Sequence, residues 1–214
     1  MSKIHLEILD AKRLKIFKRL SQFRGDGYLA GGTALALQIK HRKSFDFDVF
    51  IKKPVDNNLR IKVKKVYGNV DFYVDSSDQI SFKTKEGISV TFVWYYFNAL
   101  KPVIRTESIS LADPLDIAAD KVHTIGRRAM WRDYVDIFCF LKNNIVTLHG
   151  IIKLAEDKFK GEFVQLQFLE QLPYFADLKK TPIEFIDKSY RESEIKSYLE
   201  KRVDEYVRKE LKFR

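Results

Sequence analysis

Apolar residues in the first two dozen positions fall loosely at helical spacing: Ile4, Ile8, Leu14, Ile16, Phe17 and Leu20. One or two helices are expected over 4–24, ended by Gly25-Asp26-Gly27. Tyr28-Leu29-Ala30 then reads as a short strand running into Gly31-Gly32, and Thr33 can cap a helix over 34–40. After a polar loop at 41–44, residues 45–51 alternate apolar and polar, which puts Asp46 and Asp48 on one face of a strand. A turn follows at 54–58, then a basic helix over 58–67. Strand-like runs cover 70–74, 79–85 and 88–97, with Glu86-Gly87 marking a hairpin between the last two. From Asp113 the pattern turns helical. Asp113-Pro114 reads as a cap followed by proline at the first helical position, and helices are expected over 114–127, 131–142, 147–159, 163–171 and 183–208. The chain is therefore expected to be α+β, with a mixed sheet and flanking helices in 1–111 and a helical subdomain in 112–214.

Composition adds a functional slant. Of 214 residues, 45% are hydrophobic and 14% aromatic, enough for a real core. The formal net charge of +10 suits phosphates, nucleic acid or an acidic partner, or simply a soluble basic protein. The lone cysteine, Cys139, lies in the apolar run VDIFCFL and is expected in the core. It rules out an intrachain disulfide and a cysteine-pair zinc site. No apolar stretch reaches spanning length and the N-terminus lacks a secretory pattern, so no membrane association and a cytoplasmic location are expected.

The segment GGTALALQIKHRKSFDFDVF, residues 31–50, concentrates the candidate chemistry. Gly31 and Gly32 after a strand let the backbone approach a phosphate, and the helix that follows offers free N–H donors and a positive dipole end. Asp46 and Asp48 repel each other on a largely buried strand unless a cation lies between them. Magnesium (Mg2+) suits such hard oxygen ligands and takes substrate phosphates and water as well. A solvated strand face is the competing reading of the pair. Between the two elements, His41, Arg42 and Lys43 are placed to meet triphosphate oxygens; Arg42 can grip a phosphate bidentately, whereas Lys43 also fits a solvated basic loop.

Together with LADPLDIAADKVHTIGRRAMWRDYVDIFCFL at 111–141, this segment resembles the AbiEii/AbiGii toxin group of nucleotidyltransferases, within the polymerase-β-like superfamily. The resemblance implies a nucleotidyltransferase core sheet and a helical subdomain that closes the active-site cleft. It implies NTP and Mg2+ as ligands and transfer of a nucleoside monophosphate to an acceptor hydroxyl. The acceptor would be RNA, such as a tRNA 3′ end, or a protein. It also implies a toxin of a type IV toxin–antitoxin or abortive infection system, with a cognate antitoxin as partner. By position, Gly31, Gly32 and Thr33 would hold phosphate, and Asp46 and Asp48 would hold metal. Lys121 would contact phosphate or the acceptor. Asp133 would complete the polar site, with Arg127 or Arg128 and Asp136 nearby.

Polymerase-like transferases generally place a third carboxylate on a later strand. Here the aligned strand, 88–93, offers Thr91, and Asp71 lies on an earlier run, 70–74. One magnesium on the triphosphate is the expectation that follows, with Asp133 as a candidate base. The alternative is a degenerate module of the same fold that binds a nucleotide or partner without chemistry.

Overall fold

A computed structural model of the chain describes residues 3–125, 127–128 and 130–211. It divides into two compact units, Met1–Asp113 and Pro114–Arg214.

The first unit is built on a five-stranded sheet: β1 (Gly27–Ala30), β2 (Phe47–Ile51), β3 (Phe72–Asp75), β4 (Gln79–Lys83) and β5 (Ser89–Trp94). The spatial order is β1-β2-β5-β4-β3. The β2–β5 pair is parallel and the other pairs are antiparallel. Alternation along β2 buries Phe47, Val49 and Ile51 on one face, which continues through Val90, Phe92, Ile80 and Phe82. That face is covered by α1 (Ala11–Arg19), the tight turn after it, and α3 (Asn57–Tyr67). Phe23 lies 4.7 Å from Phe92 and Tyr67 lies 5.2 Å from Phe82, ring to ring. Both helices start at an aspartate cap that the expected ranges, 4–24 and 58–67, did not identify. Asp10 and Asp56 accept from the backbone N–H groups of Arg13 and Leu59, each at 2.8 Å. In α3, Leu59, Val63 and Tyr67 recur every four residues and form the buried stripe. Glu86, in the hairpin turn, meets Lys15 of α1 at 2.9 Å. The hydrogen bond from Lys15 is the main cause that pushes its pKa down to about 2, against the opposing effect of burial.

The second unit contains α4 (Pro114–Ile125), α5 (Trp131–Lys142), α6 (Leu148–Phe159), α7 (Gln165–Gln171) and α8 (Glu192–Tyr206). Pro114 opens α4, where its missing N–H costs nothing. Thr147 caps α6 by accepting from Gly150 N at 3.0 Å. α5 is buried from Trp131 to Leu141 apart from Arg132, and Cys139 is in the core within it. Among the described residues, no helix is long and apolar enough to cross a membrane.

Four local expectations need correction. The helix expected over 34–40 begins earlier, as α2 (Gly31–Ile39), with Ala30 at the cap position and no side-chain capping bond. Thr33 is therefore inside the first turn, and its hydroxyl donates to the carbonyl of Asp46 instead. β2 starts at Phe47, so Asp46 immediately precedes the strand. α8 begins at Glu192, not 183. The apolar residues of the preceding segment pack without helix: Tyr190 meets Phe185 and Phe138 edge to face at 5.6 and 4.8 Å. Finally, α4 ends at Ile125, not 127, so Arg127 and Arg128 follow the helix.

Candidate active site

Two constellations carry the residues singled out by sequence, one in each unit. In the first, α2 leaves β1 directly, and its first turn is flanked by charged side chains. Gly31 has φ +66°, and a Cβ there would sit 2.9 Å from Asp48 Oδ2. A Cβ on Gly32 would sit 3.0 Å from both the Arg42 guanidinium Nη2 and Ser44 Oγ. The turn thus lies between a carboxylate and a guanidinium, close enough that only glycine fits without a shift. Arg42 is buried and donates Nη1 to the Lys43 carbonyl at 3.0 Å. Asp48 is half-buried and lies in register between Ala30 and Thr91, while Asp46 is exposed and tied to α2 through Thr33.

The donor set fits a hard divalent cation in one specific way. Asp46 and Asp48 offer carboxylate oxygens two residues apart, beside amide groups that favour anions. Among the described residues, no group of three or more His, Cys, Asp or Glu side chains gathers as a metal cage. A magnesium ion here would take two carboxylates and complete its shell from phosphate and water, which is its usual habit. The sheet register puts Thr91 beside Asp48, and its hydroxyl lies 3.1 Å from that of Ser81. Asp71 is exposed and falls outside β3, which β5 and β4 separate from β2. No third acid lies on the strands adjoining Asp48 at its level.

In the second unit, Lys121 Nζ lies 2.5 Å from Asp133 Oδ1 and 2.8 Å from Asp136 Oδ2. Asp133 also receives two bonds from Arg128, at 3.0 and 3.3 Å. Lys121 is only 6% exposed and both carboxylates are 0% exposed, whereas the Arg128 side chain is 49% exposed. Burial by itself raises the Asp133 pKa, but the Lys121 and Arg128 charges together outweigh it and hold the carboxyl below its ordinary value. Arg127 is exposed and donates to the Glu162 carbonyl at 3.1 Å.

No family model matches this chain. An uncharacterized protein of Aquifex aeolicus (strain VF5) is 28% identical over 187 residues, covering 85% of this chain and 88% of that one. Among solved structures, MenT4, a nucleotidyltransferase toxin from Mycobacterium tuberculosis, superposes with a TM-score of 0.65 at 16% identity, over 92% of this chain and 82% of that one. A nucleotidyltransferase assigned as such in Helicobacter pylori gives 0.58 at 18% identity, over 96% and 99%. The chain has a nucleotidyltransferase fold.

Within that nucleotidyltransferase fold, one charged cluster escaped sequence reading. Lys158 of α6 reaches Asp116 Oδ1 at 2.9 Å and Asp120 Oδ1 at 2.7 Å, and its side chain is almost wholly buried. The available signal was Asp116 and Asp120 at i, i+4 on a helix whose other positions are mostly apolar. Nothing in the sequence near Lys158 names its partners.

Two predictions arise from this geometry. Gly31→Ala should destabilise the first unit by about 1–2 kcal/mol through the left-handed backbone alone, and more if the Asp48 carboxylate is displaced. Urea unfolding of the variant measures it. The Asp133 contribution to stability should be complete above 3.8, the ordinary carboxyl value, and should be lost as pH falls through the depressed folded value. Urea midpoints across the acid range should therefore fall more steeply for the unmodified chain than for Asp133→Asn.

Proposed function

We propose that the protein is a magnesium-dependent nucleotidyltransferase that moves a nucleoside monophosphate from an NTP to an acceptor hydroxyl of RNA. The observation that carries this reading is the first turn of α2, held between the Asp48 carboxylate and the Arg42 guanidinium with Gly31 at φ +66°. Backbone N–H groups of that turn and the Arg42 fork would bind triphosphate oxygens. Asp46 and Asp48 would hold magnesium, which neutralises phosphate charge when bound. The acceptor hydroxyl gives its proton to solvent as its oxygen bonds to the α-phosphorus in line; the bond from that phosphorus to the bridging β-phosphate oxygen breaks, and pyrophosphate leaves. Positioning and charge neutralisation supply most of the rate.

The second cluster supports a positioning role. Asp133 orients the guanidinium of Arg128, the exposed member, for a phosphate contact, while the buried ammonium of Lys121, itself paired with Asp136, holds Asp133 in place. An RNA acceptor is supported by a hollow of about 850 Å³ whose wall includes Lys15, Lys18, Arg19, Lys62 and Lys65. Action as a toxin, restrained by an antitoxin, extends this reading by analogy with the named toxin of the same fold.

Incubating the folded protein with each labelled NTP, magnesium and total RNA tests the proposal. Label should appear in RNA; its absence from both RNA and protein with every NTP would overturn the enzyme reading. A binding module without chemistry is the second reading, and Thr91 in place of a third acid is the observation that favours it.

A further inference from the structure

We propose that a ring-lined hollow at the end of β1, β2 and β5 holds an unstacked nucleobase together with its adjoining phosphate. The proposal rests on the nucleotide reading above and names a second contact for the same substrates. The hollow measures about 610 Å³, within the range of small-molecule sites. Its wall includes Tyr28, Trp94, Tyr95, Tyr96 and Phe97, so aromatic faces dominate one small region.

These rings hold one another in place. Tyr95 stacks on Phe50 at 4.2 Å and 29°, and Tyr96 lies 4.2 Å from Phe97 at 34°. Trp94 is 6.3 Å from Tyr96. Tyr96 is nonetheless 59% exposed, which leaves ring area for a planar ligand. A purely apolar ligand fits the rest of the wall poorly. Arg24, Lys52, Asn98 and Ser110 also contribute to it, supplying cationic and hydrogen-bonding groups. Aromatic faces beside cations are the arrangement that takes single-stranded nucleic acid: the base stacks and the phosphate meets the charge.

Placement links the hollow to the transfer site. Phe50 follows Asp48 by two residues on the same face of β2, and in β1 their register partners are Tyr28 and Ala30. Ile51, in the wall of the hollow, lies three residues beyond Asp48, or roughly 10 Å along the strand. A base could reach the hollow from the donor NTP or from the acceptor RNA. Stacking chemistry is common to both, and the experiment separates them.

The chain has two tryptophans. Trp131→Phe therefore leaves Trp94 as the single reporter. Titration without magnesium, using a purine NTP in one arm and a short single-stranded RNA in the other, should quench Trp94 saturably. Quenching by NTP alone assigns the base to the donor, and quenching by RNA alone assigns it to the acceptor. Tyr96→Ala should weaken that binding at least about five-fold, while Tyr96→Phe should preserve it. Should Trp131→Phe fail to fold, anisotropy of a labelled oligonucleotide and a labelled NTP reads the same comparison in the original chain. No saturable binding in either arm, or binding unchanged by Tyr96→Ala, overturns the proposal. Binding without transfer would sink the enzyme reading and leave the hollow standing, whereas transfer without Tyr96-dependent binding would do the reverse.

Discussion

Lys121→Ala should destabilise the second unit by about 3–5 kcal/mol, the cost typical of breaking a buried ion pair from one side. Lys121 stands between two carboxylates that have no exposure of their own, at 2.5 and 2.8 Å. Without it, Arg128 still partners Asp133 but is half exposed, and Asp136 loses the ammonium that lies 2.8 Å from it. The desolvation that remains when one side of a buried ion pair is removed is the dominant penalty, larger than the lost attraction itself. Replacing Lys121 with methionine while Asp133 and Asp136 become asparagines should therefore recover much of the loss, since the buried charges go together. Urea unfolding followed by far-UV circular dichroism measures both variants. A cost below about 1 kcal/mol for Lys121→Ala would match an exposed pair and would refute the buried cluster.

Asp48→Ala should leave stability nearly intact and lower transfer at least about a hundred-fold. The structural cost is small because Asp48 is half-buried and its favourable interaction with the α2 N-terminus is worth about 0.3–1 kcal/mol. On the proposed reading the catalytic cost is large, because one of the two carboxylates proposed to hold magnesium at the phosphates would be lost, an effect worth several kcal/mol. Label transfer to RNA, measured beside a thermal melt, separates the two effects. Activity retained in a stable Asp48→Ala protein would place the chemistry elsewhere in the chain.

Much of the first site was legible in sequence because its parts are local. The Gly-Gly turn, the basic loop and the alternating strand are contiguous, and each follows from steric or periodic rules acting over a few residues. The misread details have a common origin. Thr33 looked like a cap because its hydroxyl can serve one, yet a carbonyl thirteen residues away takes its hydrogen bond. Residues 183–191 carry helix-compatible spacing, yet Phe185 and Tyr190 gain more by packing as irregular chain, Tyr190 against Phe138. The role of Lys121 was assigned from resemblance, and the structure adds that its ammonium is enclosed by Asp133 and Asp136.

Sequence alone determined the order of helices and strands and the face that α3 buries, while the starts of α2 and α8 came from the structure. Asp10, Asp56 and Thr147 cap their helices, and Leu59, Val63 and Tyr67 line α3, because capping and amphipathic spacing act within about four residues. Only the tertiary structure decided which strand lies beside β2. The parallel pairing with β5 sets Thr91 next to Asp48, across a connection of nearly forty residues. It also decided that Lys158 pairs with both Asp116 and Asp120 and that five rings gather around one hollow. Sheet partners and buried charge pairs are selected by packing between segments distant in the chain, and that energy is not written in any single segment.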